Sequence, residues 1–548
     1  LIFSFCNIKK LNEMKYINKS IYFVALTLLI LIGCTDLDVP VESELTADNF
    51  PNTEEDFIAI SGPAYRFLHY KFFTINQIMV QELMGDMAIL TANGGNWYDD
   101  GRYQNYHMHT PTADQRFLRE SWAAWFNGIS KINSILPLFE EKEATEARDL
   151  AIAELRAFRA YLYFILQDNW GGVPIVTDFG PEVELKGRDS RKDVCEFIEN
   201  EVLEVLPDLS AETGVATYSR MNKWAAYALL AKLYMNWEVY TGEAGRWNDA
   251  VAACDNIITE AQTNGTIALD EDYLRMFYPD NGPHIKDFLF AIPCDGVHMK
   301  EHIPARYWLH RALRQKYEIP FNPSGSVKAL PEYYDKFLAW NDDDVRKEIW
   351  LTGKQYMFDG TPIIINTTNA GLDERYDGPD PDAPVEFHFE FTREIEFRNP
   401  ETFDTGNDEL GKAVGYRCNK FYPDKNSITR NQNNDLPIFR YADILLLKAE
   451  AILRGANATM GHTAVSLANM VRTRANATPY TTLDLDELLD ERAREFAYEG
   501  WRRNDLIRFG KFEEPWGVKT STDIRKRILP IPQEQIDRNP LLEQNPSY

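Results

Sequence analysis

The chain is short of positive charge. Its 548 residues carry 58 Lys and Arg against 84 Asp and Glu, a formal net charge of −26. A phosphate backbone repels such a surface, which excludes nucleic acid as a partner. The same acidity disfavours peripheral adsorption onto anionic lipid. Cysteine is scarce too, with six in all. Cys6 and Cys34 sit near the N-terminus, and Cys195, Cys254, Cys294 and Cys418 are widely spaced without a Cys-x-x-Cys pair. Neither a zinc site nor a disulfide framework is indicated. The nine histidines show no metal-ligand spacing. Gly-x-Ser-x-Gly, His-Glu-x-x-His, P-loop and dinucleotide fingerprints are all missing, so no catalytic residue, cofactor or metal is expected. What the chain does have is apolar matter, 44% hydrophobic and 13% aromatic, enough for a sizeable core.

One long apolar run exists, and it lies at the start. Met14 is the expected initiator, with residues 1–13 reading like upstream translation. Lys15 and Lys19 precede Ile21–Ile32, which is broken only by Thr27. A basic segment followed by about a dozen apolar residues is a signal peptide, too short to span a bilayer. It ends in Leu31-Ile32-Gly33-Cys34, which resembles the bacterial lipobox. Small residues there admit the backbone to a peptidase, and the Cys34 thiol is the nucleophilic sulfur that takes lipid. Asp36 and Asp38 follow and resemble a surface-export signal. Residues 1–33 are therefore read as upstream residues and leader, and 34–52 as a lipidated tether.

Helical periodicity dominates two blocks. Trp122, Trp125, Phe126, Ile129, Ile132, Ile135 and Leu136 recur at three- and four-residue spacing, as do Leu155, Phe158, Tyr161, Leu162, Ile165 and Leu166. Further helices are predicted around residues 194–206, 224–234 and 247–260, then at Ile438–Arg454, Thr463–Asn476, Asp486–Tyr498 and Arg502–Phe509. Thr53-Glu54-Glu55-Asp56 reads as a capping box. Ala225, Ala228 and Ala231 would let a partner helix approach closely. The fold class is mainly α, with tetratricopeptide-like helix hairpins but no strict repeat. Residues 53–548 read as one unit: a helical scaffold over about 53–280 and 431–548, with a Pro-, Gly- and Asn-rich, loop-dominated region over about 281–430. Long loops on a rigid scaffold are where binding usually resides.

Several long strings then occur in order. Asn434-Asp435-Leu436-Pro437-Ile438-Phe439-Arg440-Tyr441-Ala442-Asp443 continues to Lys448-Ala449-Glu450-Ala451. Val471-Arg472-x-Arg474-Ala475 is followed by Glu491-Arg492-x-Arg494-Glu495-Phe496-x-x-Glu499-Gly500-x-Arg502-x-x-Asp505-Leu506-x-Arg508. Leu529-Pro530-Ile531-Pro532 closes the series with Gln544-Asn545-Pro546. Upstream stand Glu154-x-Arg156-Ala157, Gly171-Gly172-Val173-Pro174 and Asp344-x-Arg346. Together these resemble the SusD/RagB family. Read as residues, the Arg and Glu positions suit buried ion pairs that lock helices together. The resemblance implies a non-catalytic surface lipoprotein of the outer membrane that binds a glycan ligand and acts as the lid of a SusC-like TonB-dependent transporter. A peptide-binding, RagB-like role is the alternative.

Sugars offer apolar C–H faces ringed by hydroxyls, which flat aromatic rings and planar polar groups hold in water. The first candidate is the loop Asn93–Arg102, with Asn96, Trp97, Tyr98 and Arg102 as ligand contacts; packing of one ring beneath the loop is the competing reading. The second is Tyr307 and Trp308, flanked by Arg306 and His310, where packing competes more strongly. Trp340, Trp350 and Tyr356 are third choices. Asp342-Asp343-Asp344 could hold calcium, although a solvated charge run is the simpler reading. Replacing Cys34 with Ala should leave ligand binding in solution intact and impair uptake by cells. Uptake that persists with the protein released from the membrane would overturn the anchoring role.

Overall fold

The computed structural model describes residues 50–69, 76–300, 302–340, 342–368 and 384–548. Cys34, the leader and nearly all of the expected tether lie outside the described residues. Helix α1 (Glu54–His69) starts where its capping signal lies. Asp56 N–H donates to Thr53 Oγ1 at 3.2 Å, and Thr53 N–H donates to the Asp56 carboxylate at 3.0 Å. Short elements follow: α2 (Ile78–Leu83), β1 (Ala88–Leu90) and α3 (Arg102–His107). Five long helices come next, α4 (Arg116–Glu140), α5 (Glu146–Trp170), α6 (Arg191–Val205), α7 (Lys223–Thr241) and α8 (Trp247–Asn264). Thr145, Ser190 and Asn222 cap the starts of α5, α6 and α7, and left-handed Gly242 and Gly265 end α7 and α8. The helices stack in order: α1 on α4, α4 on α5, α5 on α6, α6 on α7 and α7 on α8. Ala225, Ala228 and Ala231 of α7 are fully buried in this stack.

After α8 the chain leaves the stack. It forms β2 (Phe288–Ile292), α9 (Pro304–Trp308), β3 (Val327–Ala329), α10 (Pro331–Leu338), β4 (Trp350–Leu351), β5 (Gly353–Lys354), β6 (Ile364–Thr368), β7 (Pro384–His388), β8 (Glu390–Phe391), α11 (Glu409–Ala413), β9 (Arg417–Cys418) and β10 (Leu436–Arg440). The strands pair only in antiparallel twos. The pair that matters most is β2 with β10, in which Ile292 faces Leu436 and Phe288 faces Arg440. It brings the entry and the exit of the excursion together. Helix α12 (Tyr441–Leu453) then packs on α8, so the stack resumes where it stopped. Helices α13 (Ala464–Arg474), α14 (Leu485–Glu495), α15 (Arg502–Arg508) and α16 (Gln533–Arg538) finish the chain. The architecture is mainly α, as the periodicity predicts. The excursion also has a small apolar cluster of its own, in which Leu309, Leu313, Tyr317, Ile363, Phe389 and Phe391 are buried together.

The helices expected at Asp486–Tyr498 and Thr463–Asn476 end earlier, at Glu495 and Arg474, and at one further boundary the element type itself differs. Residues 438–440 are strand rather than helix, and helix α12 begins at Tyr441. Pro437 lacks an N–H and holds its neighbour extended. Asp287 then starts the helix: its carbonyl accepts the Tyr441 N–H at 2.8 Å and its carboxylate accepts the Ala442 N–H at 2.9 Å.

Buried ion pairs join the two halves. Arg440 pairs with Asp287 at 2.9 Å and with Glu495 and Glu499 at 2.8 Å. Arg346 pairs with Asp344 at 2.8 Å, Glu491 at 2.6 Å and Glu495 at 3.1 Å. Arg474 also reaches Glu495, Lys420 reaches Glu499, and Arg472 and Arg494 both hold Glu491 at 2.8 Å. A second knot ties Arg492 to Asp443 and Asp505, and Arg508 to Asp505 and Glu450. The structural reading of these Arg and Glu residues is correct. Asp342 and Asp344 belong to the same scheme, held by Lys347 and Arg346, so of the aspartate run only Asp343 is left exposed to solvent. No cluster of metal-ligating side chains occurs among the described residues.

Burial alone would raise the Glu491 carboxyl, but Arg346, Arg494 and Arg472 outweigh it and bring it down to about 2. A carboxylate depressed by folding adds stability that is complete above its ordinary value near 4.5 and lost as pH falls through about 2. Glu82 is the reverse. Burial pushes it up to about 8, so at pH 7 it is held neutral. Only its Oε1 is engaged, by the Gly500 N–H at 2.7 Å. In denaturant titrations at pH 7, Glu495→Ala should cost about 3–5 kcal/mol, because it strands three guanidinium groups. Glu82→Gln, which keeps the accepting oxygen, should change stability by less than about 1 kcal/mol. Equal losses from the two would contradict this charge assignment.

Candidate functional site

The Gly-rich loop is a tight turn. Asn93 N–H donates to the Asn96 carbonyl at 2.9 Å, and the reverse bond is 3.3 Å. Its tip is tied down by Asp404, whose two carboxylate oxygens accept the Gly94 and Gly95 N–H groups at 2.8 and 2.7 Å. Asp404 also accepts the Gly406 N–H at 2.7 Å. Asn93 is buried beneath, donating to Ser326 Oγ at 3.2 Å and accepting from Thr405 Oγ1 at 3.1 Å. Beyond the turn, Trp97, Asp99 and Asp100 all have positive φ, at 69°, 46° and 59°. Non-glycine residues at such angles cost on the order of 1–2 kcal/mol each. Asp404 clamps the turn just before this stretch, and the Gly101 N–H to Tyr98 carbonyl and Arg102 Nε to Asp99 carbonyl bonds hold the stretch itself.

This loop forms one wall of a cleft of about 450 Å³. Asn96, Trp97 and Asp99 line that wall, and Arg306, His310 and Arg311 line a second. Asn322–Ser324, Asn407 and Lys412 complete it. The two stretches singled out in the sequence, around Trp97 and around Tyr307, therefore meet at one place. The Trp97 ring is half-buried. The edge of Tyr307 stands against it with centroids 5.3 Å apart, and the Arg306 guanidinium lies over it at 5.2 Å. Ser324 fixes this wall, its N–H and Oγ donating to the Arg306 carbonyl at 2.9 and 2.7 Å.

The other expected residues are distributed differently. Tyr98 is 38% exposed, but its ring folds over Gly101 and does not line the cleft. Arg102 turns away: its Nε donates to the Asp99 carbonyl at 3.0 Å and its guanidinium lies over Phe117. Tyr307 is buried and supports Trp97 from behind. Trp308 is corrected to a core residue. It is 1% exposed and packs edge-on against Tyr498 and Trp350, because successive residues of the short helix α9 point to different sides. Trp350 is likewise core, Trp340 packs on Tyr480, and Tyr356 is exposed beside His388. Arg311, Asn407 and Lys412 escaped the sequence reading. Only the polar turn Thr405-Gly406-Asn407-Asp408 hinted at them.

The second wall is strongly charged. Glu409 is buried and shared between His310 and Arg311, with His310 Nε2 3.2 Å from its carboxylate. Burial, then Arg417 and Arg311, hold the His310 imidazole well below its usual range, so it is neutral. Its Nδ1 accepts the Ala312 N–H at 3.1 Å, which leaves the proton on Nε2, facing Glu409. A separate cleft of about 340 Å³ lies by Tyr218, Trp224, His284 and Lys286, away from the predicted loops.

With this geometry in view, residues 234–548 match the family model described as SusD family. The chain belongs to the SusD family. Residues 63–235 match a second model, described as starch-binding associating with outer membrane. Among similar proteins, the starch-binding protein SusD of Bacteroides thetaiotaomicron is 28% identical, over 72% of this chain and 72% of its own. A SusD-like protein of Bacteroides ovatus is 21% identical, over 91% of this chain and 83% of its own. Among solved structures, surface glycan-binding protein A from Bacteroides thetaiotaomicron, in complex with laminarihexaose, superposes with a TM-score of 0.68 at 20% identity. That match covers 90% of this chain and 100% of the other. A laminarin binding SusD-like protein gives a TM-score of 0.67 at 22% identity, covering 91% and 100%. These family members share the helical stack.

The loop makes a contrast that unfolding can read. A Cβ on Gly94 would lie 2.4 Å from the Asn407 Cβ, whereas a Cβ on Gly95 would meet nothing within 4 Å. Both have positive φ, 61° and 83°. Gly95→Ala should therefore cost about 1 kcal/mol from backbone strain alone, and Gly94→Ala clearly more, as the 407 segment is forced away. Equal losses in the two variants would mean that the loop does not pack on Asn407 as described.

Proposed function

We propose that this protein is a non-catalytic, lipid-anchored glycan-binding protein of the outer-membrane surface. It captures oligosaccharide in the Trp97 cleft and serves as the lid of a SusC-like TonB-dependent transporter. The observation that carries the reading is Trp97. A large aromatic ring is held in a costly backbone conformation beside a dedicated carboxylate clamp and presented in a polar cleft. A ring needed only for packing would not require that loop. An indole beside Asn96, Asn407 and a planar guanidinium supplies the two things a pyranose needs, an apolar platform and in-plane hydrogen-bonding groups.

Family membership supports the reading, as do the names of the relatives, which bind starch, laminarin or laminarihexaose. No described helix is long and apolar enough to cross a membrane. Weak affinity suffices for such a protein, because tethering beside the transporter raises its effective concentration there.

Calorimetry against a broad glycan panel tests this. Saturable binding is expected, with Trp97→Ala weakening it about tenfold or more. Tyr98→Ala should change it by less than about threefold, since that ring is outside the cleft. A flat response across the panel would count against the glycan reading, and peptides co-purifying from native membranes would favour a peptide ligand. Release of reducing sugar by the pure protein would overturn the non-catalytic assignment.

A further inference from the structure

The charge of the cleft opposes the charge of the chain. Arg306, Arg311 and Lys412 line it, and among the described residues Asp99 is the one carboxylate in the lining. Glu409 behind them is already shared by Arg311 and His310, and Asp408 is taken by Arg398. Asp404, beneath the loop, is occupied by three N–H donors. Lys412 has no ion-pair partner among the described residues.

The layer beneath adds more cation. Lys328, on β3, is 0% exposed, and its ammonium has only a long 3.5 Å contact to the Lys412 carbonyl. Arg417, on β9, is also 0% exposed. Its guanidinium lies against the backbone carbonyls of Lys412, Val414, Gly415 and Tyr416, with Nε unsatisfied. Neither meets a carboxylate among the described residues. The Arg440 and Arg346 clusters pair their buried cations with carboxylates, whereas Lys519, also buried, rests on the backbone carbonyls of Phe512 and Glu514. Here no carboxylate among the described residues compensates Lys328 or Arg417, and the basic groups gather on one side of a cleft whose other side is an indole. Burial, then Arg417 and Lys412, push the Lys328 amine well below its ordinary range, a penalty that an anion nearby would relieve.

We propose that the cleft takes an acidic saccharide, its sugar ring against Trp97 and its carboxylate or sulfate ester held by Arg306, Arg311 and Lys412. This rests on the reading of the cleft as the glycan site. An acidic chain repels a polyanion from the rest of its surface, so binding would be confined to this patch. Charge-assisted bonds from guanidinium and ammonium groups supply the selectivity over neutral sugars.

The test titrates the full-length soluble chain with three sets of oligosaccharides of matched length: neutral glucans, oligouronates and sulfated galactans. Wild type, Lys412→Gln and Trp97→Ala are compared at low and high salt, with thermal unfolding as the folding control. One of the acidic sets should bind at least about tenfold tighter than the neutral set, and which one it is separates carboxylate from sulfate. Lys412→Gln, which breaks no ion pair, should weaken that binding about fivefold, and raising the salt should weaken it further. Neutral glucans that bind as tightly as the acidic ones, lose affinity in Trp97→Ala and ignore Lys412→Gln would overturn the acidic assignment and leave the glycan site standing. Absence of binding to all three sets would overturn both.

Discussion

Glu495 holds the protein together. Its carboxylate lies, fully buried, among Arg346 from the excursion, Arg440 from the strand that ends it and Arg474 from the returning helices. Replacing an ion cluster with well-packed apolar groups can be neutral or stabilising, so such a cluster is weak evidence for stability as such. Its distinct property is intolerance. Each charge is acceptable in the interior only while its partners are present and in place. The Arg440 guanidinium specifies Asp287, Glu495 and Glu499 at once, which fixes strand β10 against α14 in a way that leucines could not. Helix packing builds the stack, and the ion network decides where the loop-rich excursion rejoins it.

The cleft depends on that arrangement although it has little regular structure of its own. Its walls come from residues 93–99, 306–311, 322–324 and 407–412, joined by isolated contacts rather than extended sheets. A short parallel bridge sets Ala92 beside Asp404, and the Asp404 carboxylate accepts the Gly94 and Gly95 amides. Beneath, β1 pairs with β3, carrying Ala88–Leu90 against Val327–Ala329 and setting the start of one wall beside the root of another. The small apolar cluster around Leu313 and Phe389 supports the charged wall, with the His310 ring tilted against Phe389 at a centroid distance of 4.5 Å. Precision at the site is thus borrowed from its surroundings.

Much of this was legible in the sequence. Three-four spacing located the long helices, and the Thr53 capping signal marked the start of the first within a residue. The Arg and Glu strings announced a buried network because so many charges at helix-neighbour spacing have no reason to be solvated together. Trp97 stood out because an aromatic between glycines and asparagines has no local core to enter. What stayed hidden was set by long-range pairing. Asp404 lies 310 residues from Gly94, and no local pattern joins them. The same holds for Lys412 and Arg311. Trp308 and Tyr307 look equivalent as neighbours, yet the roughly 100° step between consecutive helical residues sends Trp308 to Tyr498 and leaves Tyr307 at the edge of Trp97. Ile438–Arg440 carried helix-compatible residues, and Pro437 with Asp287 overrode them.

The pairing of β2 with β10 has a consequence for how such proteins diversify. Since the two ends of the excursion are already joined, its length is almost irrelevant to the stack: doubling a flexible connection adds only about 0.6 kcal/mol of closure entropy. The cleft loops within Cys294–Asp435 can therefore be rewritten for a new ligand while the helices stay as they are. The rewriting has two conditions. Residues of the segment that enter the main core, such as Trp308 against Tyr498 and Trp350 beside it, must be matched in volume. Any replacement must return Asp344, Arg346 and Lys420 to the carboxylates of α14 and its C-terminal turn, or three glutamates are left in the interior facing too few cations. Those residues act as the key that a new segment has to carry.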